Sequence, residues 1–151
     1  MSKDILTMDI SESIAELWRP LSEEQRQMLS REITVQKFKK NELIYCEGDR
    51  PTHIMCLLSG KVKIFKDGVG GRSQIIRVIK PVEYFAYRAY FANEEYVTAA
   101  AAFEPSVICM IPMGIIIKLV EGNNRLAMFF IRLLAIDLGI SDERTVNLTQ
   151  K

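Results

Sequence analysis

The order of apolar and polar positions divides the chain into three textures. Residues 1–33 carry two short helical patterns: Asp9 with Glu12 and Ser22 with Gln25 are each spaced as a capping box, and Pro20 ends the first helix. Residues 34–112 change to short β-rich runs separated by Gly, Pro, Asp and Asn. In the clearest of them, Lys61-Val62-Lys63-Ile64-Phe65-Lys66, polar and apolar side chains alternate as on a strand with one wet face. The glycines of Asp67-Gly68-Val69-Gly70-Gly71-Arg72 tolerate positive φ, so Ser73 to Ile79 is predicted to return as the second strand of a hairpin. Further strands are predicted over residues 43–46, 53–58, 97–103 and 106–111. Roughly seven or eight short strands within about eighty residues favour a closed barrel or jelly roll over a β-α-β fold.

Residues 113–151 return to helical texture, with a helix over 113–121 and, after Gly122, a longer one over 123–148. From Leu126 to Ile140 the long helix is apolar on nearly every side, whereas a surface helix shows one stripe. A membrane span needs about 20 apolar residues with few charges; this run is shorter and contains Arg132 and Asp137. The pattern predicts a helix covered once by its own barrel and once by a second copy of the chain. Its dimer-interface candidates are Phe129, Phe130, Leu133, Leu134, Ile136, Leu138 and Ile140. The expected class is therefore mainly β with flanking helices (α+β): a double-stranded β-helix or jelly-roll barrel followed by a long C-terminal dimerisation helix.

Composition narrows the chemistry. With 151 residues and 48% hydrophobic side chains the chain is long enough for one cored domain, and 20 Lys+Arg against 19 Asp+Glu leaves a net charge of +1. The basic excess of a compact nucleic-acid binder is missing, so any service to DNA falls to another segment. Cys46, Cys56 and Cys109 are widely spaced and form no C-x-x-C pair, and acids interrupt the N-terminal MSKDILTMDISESIAEL where a signal peptide would be apolar. Both features predict a cytoplasmic protein. His53 is the single histidine, which leaves neither the ligand set of a metal-binding jelly roll nor a catalytic triad. No enzyme activity, metal or cofactor is expected. The cysteines read as small buried hydrophobes, and Gly68, Gly70 and Gly71 as a hairpin rather than a phosphate loop, because Arg72 opens a strand.

The segment Glu83-Tyr84-Phe85-Ala86-Tyr87-Arg88-Ala89-Tyr90-Phe91 is different in kind. Aromatics offer stacking area, alanines allow close approach, and an arginine can hold an anion. Composition leaves two readings open, a binding pocket or a self-filled aromatic core. Tyr84, Tyr87, Tyr90 and Tyr96 would line the former.

Three motifs then carry a resemblance. Lys39-Lys40-Asn41-Glu42-Leu43-Ile44-Tyr45 followed by Glu47-Gly48-Asp49 resembles the pattern K-G-E-x-I-x-x-x-G-D. Leu57-Leu58-Ser59-Gly60-Lys61-Val62-Lys63-Ile64 is similar to L-x-x-G-x-V-x-V, and Leu21-Ser22-Glu23-Glu24 to the helix before the barrel. These are motifs of the cyclic-nucleotide-binding sensor domain of the Crp/Fnr family of bacterial transcription regulators. By this resemblance residues 83–99 stand where the family has its phosphate-binding cassette, and 123–148 where it has its dimer helix. In cAMP-binding members the cassette reads F-G-E-L and, some residues later, R-S-A or R-T-A, with the glutamate on the ribose and the arginine on the cyclic phosphate. The matching positions here are Phe85, Ala86, Tyr87, Arg88 and then Val97, Thr98, Ala99, so both charged contacts are missing.

The resemblance makes Phe85, Ala86, Tyr87, Arg88, Ala89, Val97, Thr98 and Ala99 the effector-pocket candidates, with Ser141 and Asp142 from the dimer helix. Arg88 is expected to point away from the pocket or to pair with Glu83. Val97 offers an anion neither charge nor hydrogen bond, so cAMP binding in the usual manner is not expected and the small-molecule effector stays unknown. An iron–sulfur sensor would need clustered cysteines, and a haem sensor more axial ligands than one histidine. The family continues into a winged helix-turn-helix, and this chain stops about where it would begin. The expected function is therefore the effector-sensing and homodimerising part of a transcription regulator. It would meet DNA only through a missing domain, with RNA polymerase as a further partner and no membrane. The alternative is a stand-alone module that regulates a partner protein.

Overall fold

The computed structural model describes residues 10–149, and side chains as far as residue 140. Helix α1 (Ala15–Trp18) and helix α2 (Glu23–Glu32) precede the sheet. The Ser22 capping box forms as the spacing predicts: Gln25 N–H donates to Ser22 Oγ at 3.2 Å, and Ser22 N–H to Gln25 Oε1 at 3.0 Å. Asp9, the other expected cap, lies outside the described residues.

Six strands follow among the described residues: β1 (Thr34–Phe38), β2 (Leu43–Tyr45), β3 (His53–Asp67), β4 (Ser73–Ile79), β5 (Tyr84–Phe85) and β6 (Ala99–Pro112). All pairings are antiparallel, in the order β1-β6-β3-β4, with β2 also on β6 and β5 also on β3. The hairpin between Lys66 and Ser73 forms as expected, with Asp67 paired to Ser73. The expected count of seven or eight short strands is corrected. Residues 53–58 and 61–66 belong to one strand, as do most of 97–103 and 106–111, while Val97 and Thr98 precede β6.

The sequence breaks at Gly60 and Pro105 are bends, not ends. Gly60 takes φ +96°, and a Cβ there would meet Ser106 Oγ and would lie 2.5 Å from the Pro105 carbonyl oxygen. The buried Ser106 hydroxyl holds the bend: it accepts from Lys61 N–H at 3.1 Å and donates to the Glu104 carbonyl at 2.7 Å. Pairing of β3 with β6 therefore continues through shifts of register, and the long strands curl over a core.

That core has two parts. One fills the roll, with Leu57, Val62, Ile79 and Ile108 at its centre. The other lies between sheet and helices, where Leu17, Leu29, Ile111, Ile116 and Leu126 are fully buried. Helix α3 (Arg88–Phe91) sits within the aromatic segment, and α4 (Met113–Glu121) and α5 (Asn124–Thr149) end the described chain. Asn123 fixes the start of α5. Its Oδ1 accepts from Leu126 N–H, while its Nδ2 donates to the Pro20 carbonyl and to Gln25 Oε1, each at 2.9 Å.

The apolar residues of α5 separate into two stripes. Phe129 and Phe130 were expected at a dimer interface, but both are buried in their own chain, with Phe129 edge-on to Tyr84 at 5.3 Å and Phe130 against Phe91 at 5.4 Å. Leu133 and Leu134 pack half-buried on the same core. These four share one face at helical spacing, which is why they turn inward together. The outward stripe is Met128, Ile131, Ala135 and Leu138, with Ile131 at 55% and Leu138 at 64% exposure; Ile136, at 60%, flanks it. No helix among the described residues is long and apolar enough to cross a membrane.

Candidate effector-binding site

A cavity of about 260 Å³ lies between β3 and β4 of the roll, the 83–98 segment and α5. Its floor is apolar, from Ile64, Ile76 and Ile79. One wall is a pair of stacked rings, Tyr45 and Tyr96, with centroids 3.8 Å apart and planes 16° from parallel. Tyr96 is fixed at both ends. Its hydroxyl donates to the Ala86 carbonyl at 2.9 Å, its N–H donates to Asp49 O, and its carbonyl accepts from Gly48 N–H. Ala86 has φ +74°, a conformation that glycine takes more readily and that this hydrogen bond helps hold.

The opposite wall comes from α5. Tyr87 donates to Asp137 Oδ2 at 2.6 Å, and Arg77 of β4 approaches Asp137 Oδ1 at 3.5 Å and Glu83 Oε2 at 3.6 Å. The Arg77 guanidinium thus stands between two carboxylates. Burial pushes the Tyr45 hydroxyl up to about 12, against a smaller opposite pull from a Thr98 hydrogen bond and Arg77. Burial likewise raises Tyr87, reinforced by Asp137, and Tyr96, reinforced by Tyr45. All three hydroxyls are therefore neutral hydrogen-bonding groups at physiological pH.

Of the residues expected at the pocket, Phe85, Ala86, Tyr87, Arg88, Ala89, Val97 and Thr98 come together around the cavity. Ala99 does not line it; it opens β6 and is buried. Ser141 and Asp142 fall where side chains lie outside the described residues. Ile140, a dimer-face candidate, also lines the cavity, one helical turn beyond Asp137. Tyr84 belongs to the other core, its hydroxyl buried without a hydrogen-bond acceptor, and Tyr90 does not border the cavity. Arg88 pairs with Glu94 at 3.2 Å rather than with Glu83, because α3 carries it toward the acids that follow; Glu83 is turned to Arg77.

Sequence reasoning missed Arg77 and Asp137. The alternation of Ser73–Ile79 puts Arg77 on a strand facing the cassette, and Asp137 interrupts an apolar helix run; only the fold brings the two together. Among the described residues no group of three or more His, Cys, Asp or Glu side chains is placed to hold a metal.

Comparison with known proteins agrees with this architecture. Residues 35–123 match the cyclic nucleotide-binding domain family. The regulatory protein HlyX of Actinobacillus pleuropneumoniae is 25% identical over 142 residues, which cover 92% of this chain and 58% of HlyX. The sensor domain of the transcriptional regulator DNR from Pseudomonas aeruginosa superimposes with a TM-score of 0.78 at 22% identity, covering 93% of each chain. The catabolite activator protein of Thermus thermophilus does so with a TM-score of 0.74 at 21% identity, covering 89% of this chain and 63% of that one. The chain thus spans less than two-thirds of HlyX and of the activator protein. The chain belongs to the cyclic nucleotide-binding domain family, with Crp/Fnr-type regulators as its relatives.

Proposed function

We propose that this chain is the effector-sensing and dimerising part of a cytoplasmic Crp/Fnr-type transcription regulator, and that its cavity does not take cAMP in the manner of the cAMP-binding members. In this reading the protein is not an enzyme and needs no metal or cofactor. DNA is met by a winged-helix domain outside these 151 residues, and RNA polymerase is a further partner. Pairing uses the outward stripe of α5, where Ile131, Ala135 and Leu138 recur at the three- and four-residue spacing of a helix seam.

One observation carries the reading of the cavity: both of its arginines already hold carboxylates of their own chain, Arg77 those of Asp137 and Glu83, and Arg88 that of Glu94. A cyclic phosphate entering a partly buried site needs a countercharge or several hydrogen bonds, since an unpaired buried charge is destabilising by several kcal/mol. Val97 supplies neither. Calorimetric titration with cAMP tests the reading, and no binding is expected in the micromolar range. Micromolar binding that is lost in Thr98→Ala or Arg88→Ala would overturn it.

A further inference from the structure

We infer that the cavity selects a small, neutral aromatic molecule carrying one hydrogen-bonding group, and that Asp137 is the residue that turns anions away. This rests on the reading of the cavity as an effector site and names the chemistry of the effector.

Size comes first. At about 260 Å³ the cavity lies just under the roughly 300–1,000 Å³ of pockets that hold drug-sized ligands, so it suits one or two fused rings. Shape and polarity come next. The Tyr45 and Tyr96 rings, stacked on each other, and the side chains of Ile64, Ile76 and Ile79 give the cavity an apolar, partly aromatic lining. An aromatic ring packs against such a lining by offset or edge-on contact with the outer side of the tyrosine pair, and the negative π-face of tyrosine disfavours an anion there. Beside the ion-paired Arg77, Arg88 and Asp137, the polar groups of the lining are neutral donors or acceptors: the Thr98 hydroxyl and the Tyr45 oxygen it bonds, and the Tyr87 hydroxyl.

Charge decides the class. Arg77 is the guanidinium that an anion would seek in the wall, yet two carboxylates already flank it, at 3.5 and 3.6 Å. An anion brought to Arg77 is repelled by both unless it displaces Asp137, which also requires breaking the 2.6 Å bond from Tyr87. A neutral molecule disturbs none of this. Asp137 thus holds, from within the chain, the position beside Arg77 and Tyr87 that an acidic ligand would need.

The test is a matched pair of probes on the full chain, naphthol and naphthoate, titrated by calorimetry, with cAMP as a third arm. Wild type is expected to bind naphthol at least about tenfold more tightly than naphthoate. Asp137→Asn, which keeps the shape and an acceptor for Tyr87 but removes the charge, is expected to tighten naphthoate about tenfold relative to naphthol. Should Asp137→Asn fold poorly, Glu83→Gln removes the other carboxylate from Arg77 at a more exposed position and is expected to shift naphthoate in the same direction.

The inference is overturned if neither aromatic binds, if naphthoate binds wild type as tightly as naphthol, or if the preference is unchanged in both variants. The cAMP arm separates the two levels. Micromolar cAMP binding lost in Thr98→Ala or Arg88→Ala removes the reading of the cavity itself, whereas no cAMP binding with naphthoate preferred removes only the neutral-ligand inference.

Discussion

The hydroxyl of Tyr87 donates a 2.6 Å hydrogen bond to the carboxylate of Asp137, joining the aromatic segment over the cavity to the long helix α5 across fifty positions of sequence. Both groups are partly buried, and Arg77 completes the arrangement from the sheet. Tyr87→Phe removes the donor and leaves the carboxylate with Arg77 alone, which is expected to lower stability by roughly 1–3 kcal/mol. Asp137→Asn is expected to lower it less, because an acceptor for Tyr87 remains. Denaturant melts of both variants and of the double variant measure the coupling, and additive effects would show that the contact does not hold the helix to the segment.

Gly60 is required at its bend. Its φ of +96° strains any side chain, and a Cβ would lie 2.5 Å from the backbone oxygen of Pro105 and against Ser106 Oγ. Gly60→Ala is expected to be destabilising by roughly 2–5 kcal/mol, from strain and overpacking together. Gly70, also at positive φ but with nothing within 4 Å of its added Cβ, is expected to tolerate alanine with a loss of about 1 kcal/mol. Equal losses at the two sites, measured by thermal or denaturant unfolding, would remove the packing argument.

Cys56 and Cys109 face each other across β3 and β6, fully buried, and burial pushes both thiols up to about 12 from an ordinary value of 9.0. Cys46 is exposed. A thiol reagent is therefore expected to label Cys46 rapidly in the native protein and the other two only on unfolding. The same shifts make alkali destabilising. Below pH 9 these thiols are protonated in both states, but above it the unfolded chain loses protons that the folded chain keeps until about pH 12. Stability is then expected to fall across that window by up to about 1.4 kcal/mol per pH unit for each buried thiol, with Tyr45 adding to the slope above its own ordinary value. Denaturant melts at about pH 8 and about pH 10 check the sign.

Adjacent residues of α5 are expected to answer differently to the same change. Phe130→Ala opens a cavity in the core and is expected to be destabilising by about 3–5 kcal/mol. Ile131→Ala is expected to leave the folded monomer within about 0.5 kcal/mol of wild type, because the side chain is largely exposed in the single chain. Ile131→Asp places a charge in the proposed seam and is expected to weaken self-association at least about tenfold. Sedimentation equilibrium measures this directly, and an association constant unchanged in both Ile131→Asp and Leu138→Asp would exclude this stripe as the pairing surface.

Local order was legible along the chain because short-range chemistry sets it. Ser22 with Gln25 predicts a helix start and makes one, the glycines between Asp67 and Arg72 predict the hairpin that forms, and Gly122 separates two helices. Alternation in Lys61–Lys66 also predicts which face of that strand is wet. Extents were less legible where a local break is overridden by pairing: Gly60 and Pro105 read as strand ends, yet Ser106 holds the chain through both bends and the ladder continues.

By itself, then, the sequence determined a β-roll with helices at both ends, an aromatic segment built for close contact, and a long helix with more apolar surface than one core can cover. Tertiary structure decided which of those side chains meet. It turned Phe129 and Phe130 inward and left Ile131 and Leu138 outward, set Ile140 at the cavity, and sent Arg88 to Glu94. Above all it brought Arg77 from a strand to Asp137 on a helix, sixty positions away. Periodicity fixes the side of an element on which a residue stands, but the partner across a cavity depends on how the elements pack, and ion pairing in that cavity determines which charges are left for a ligand.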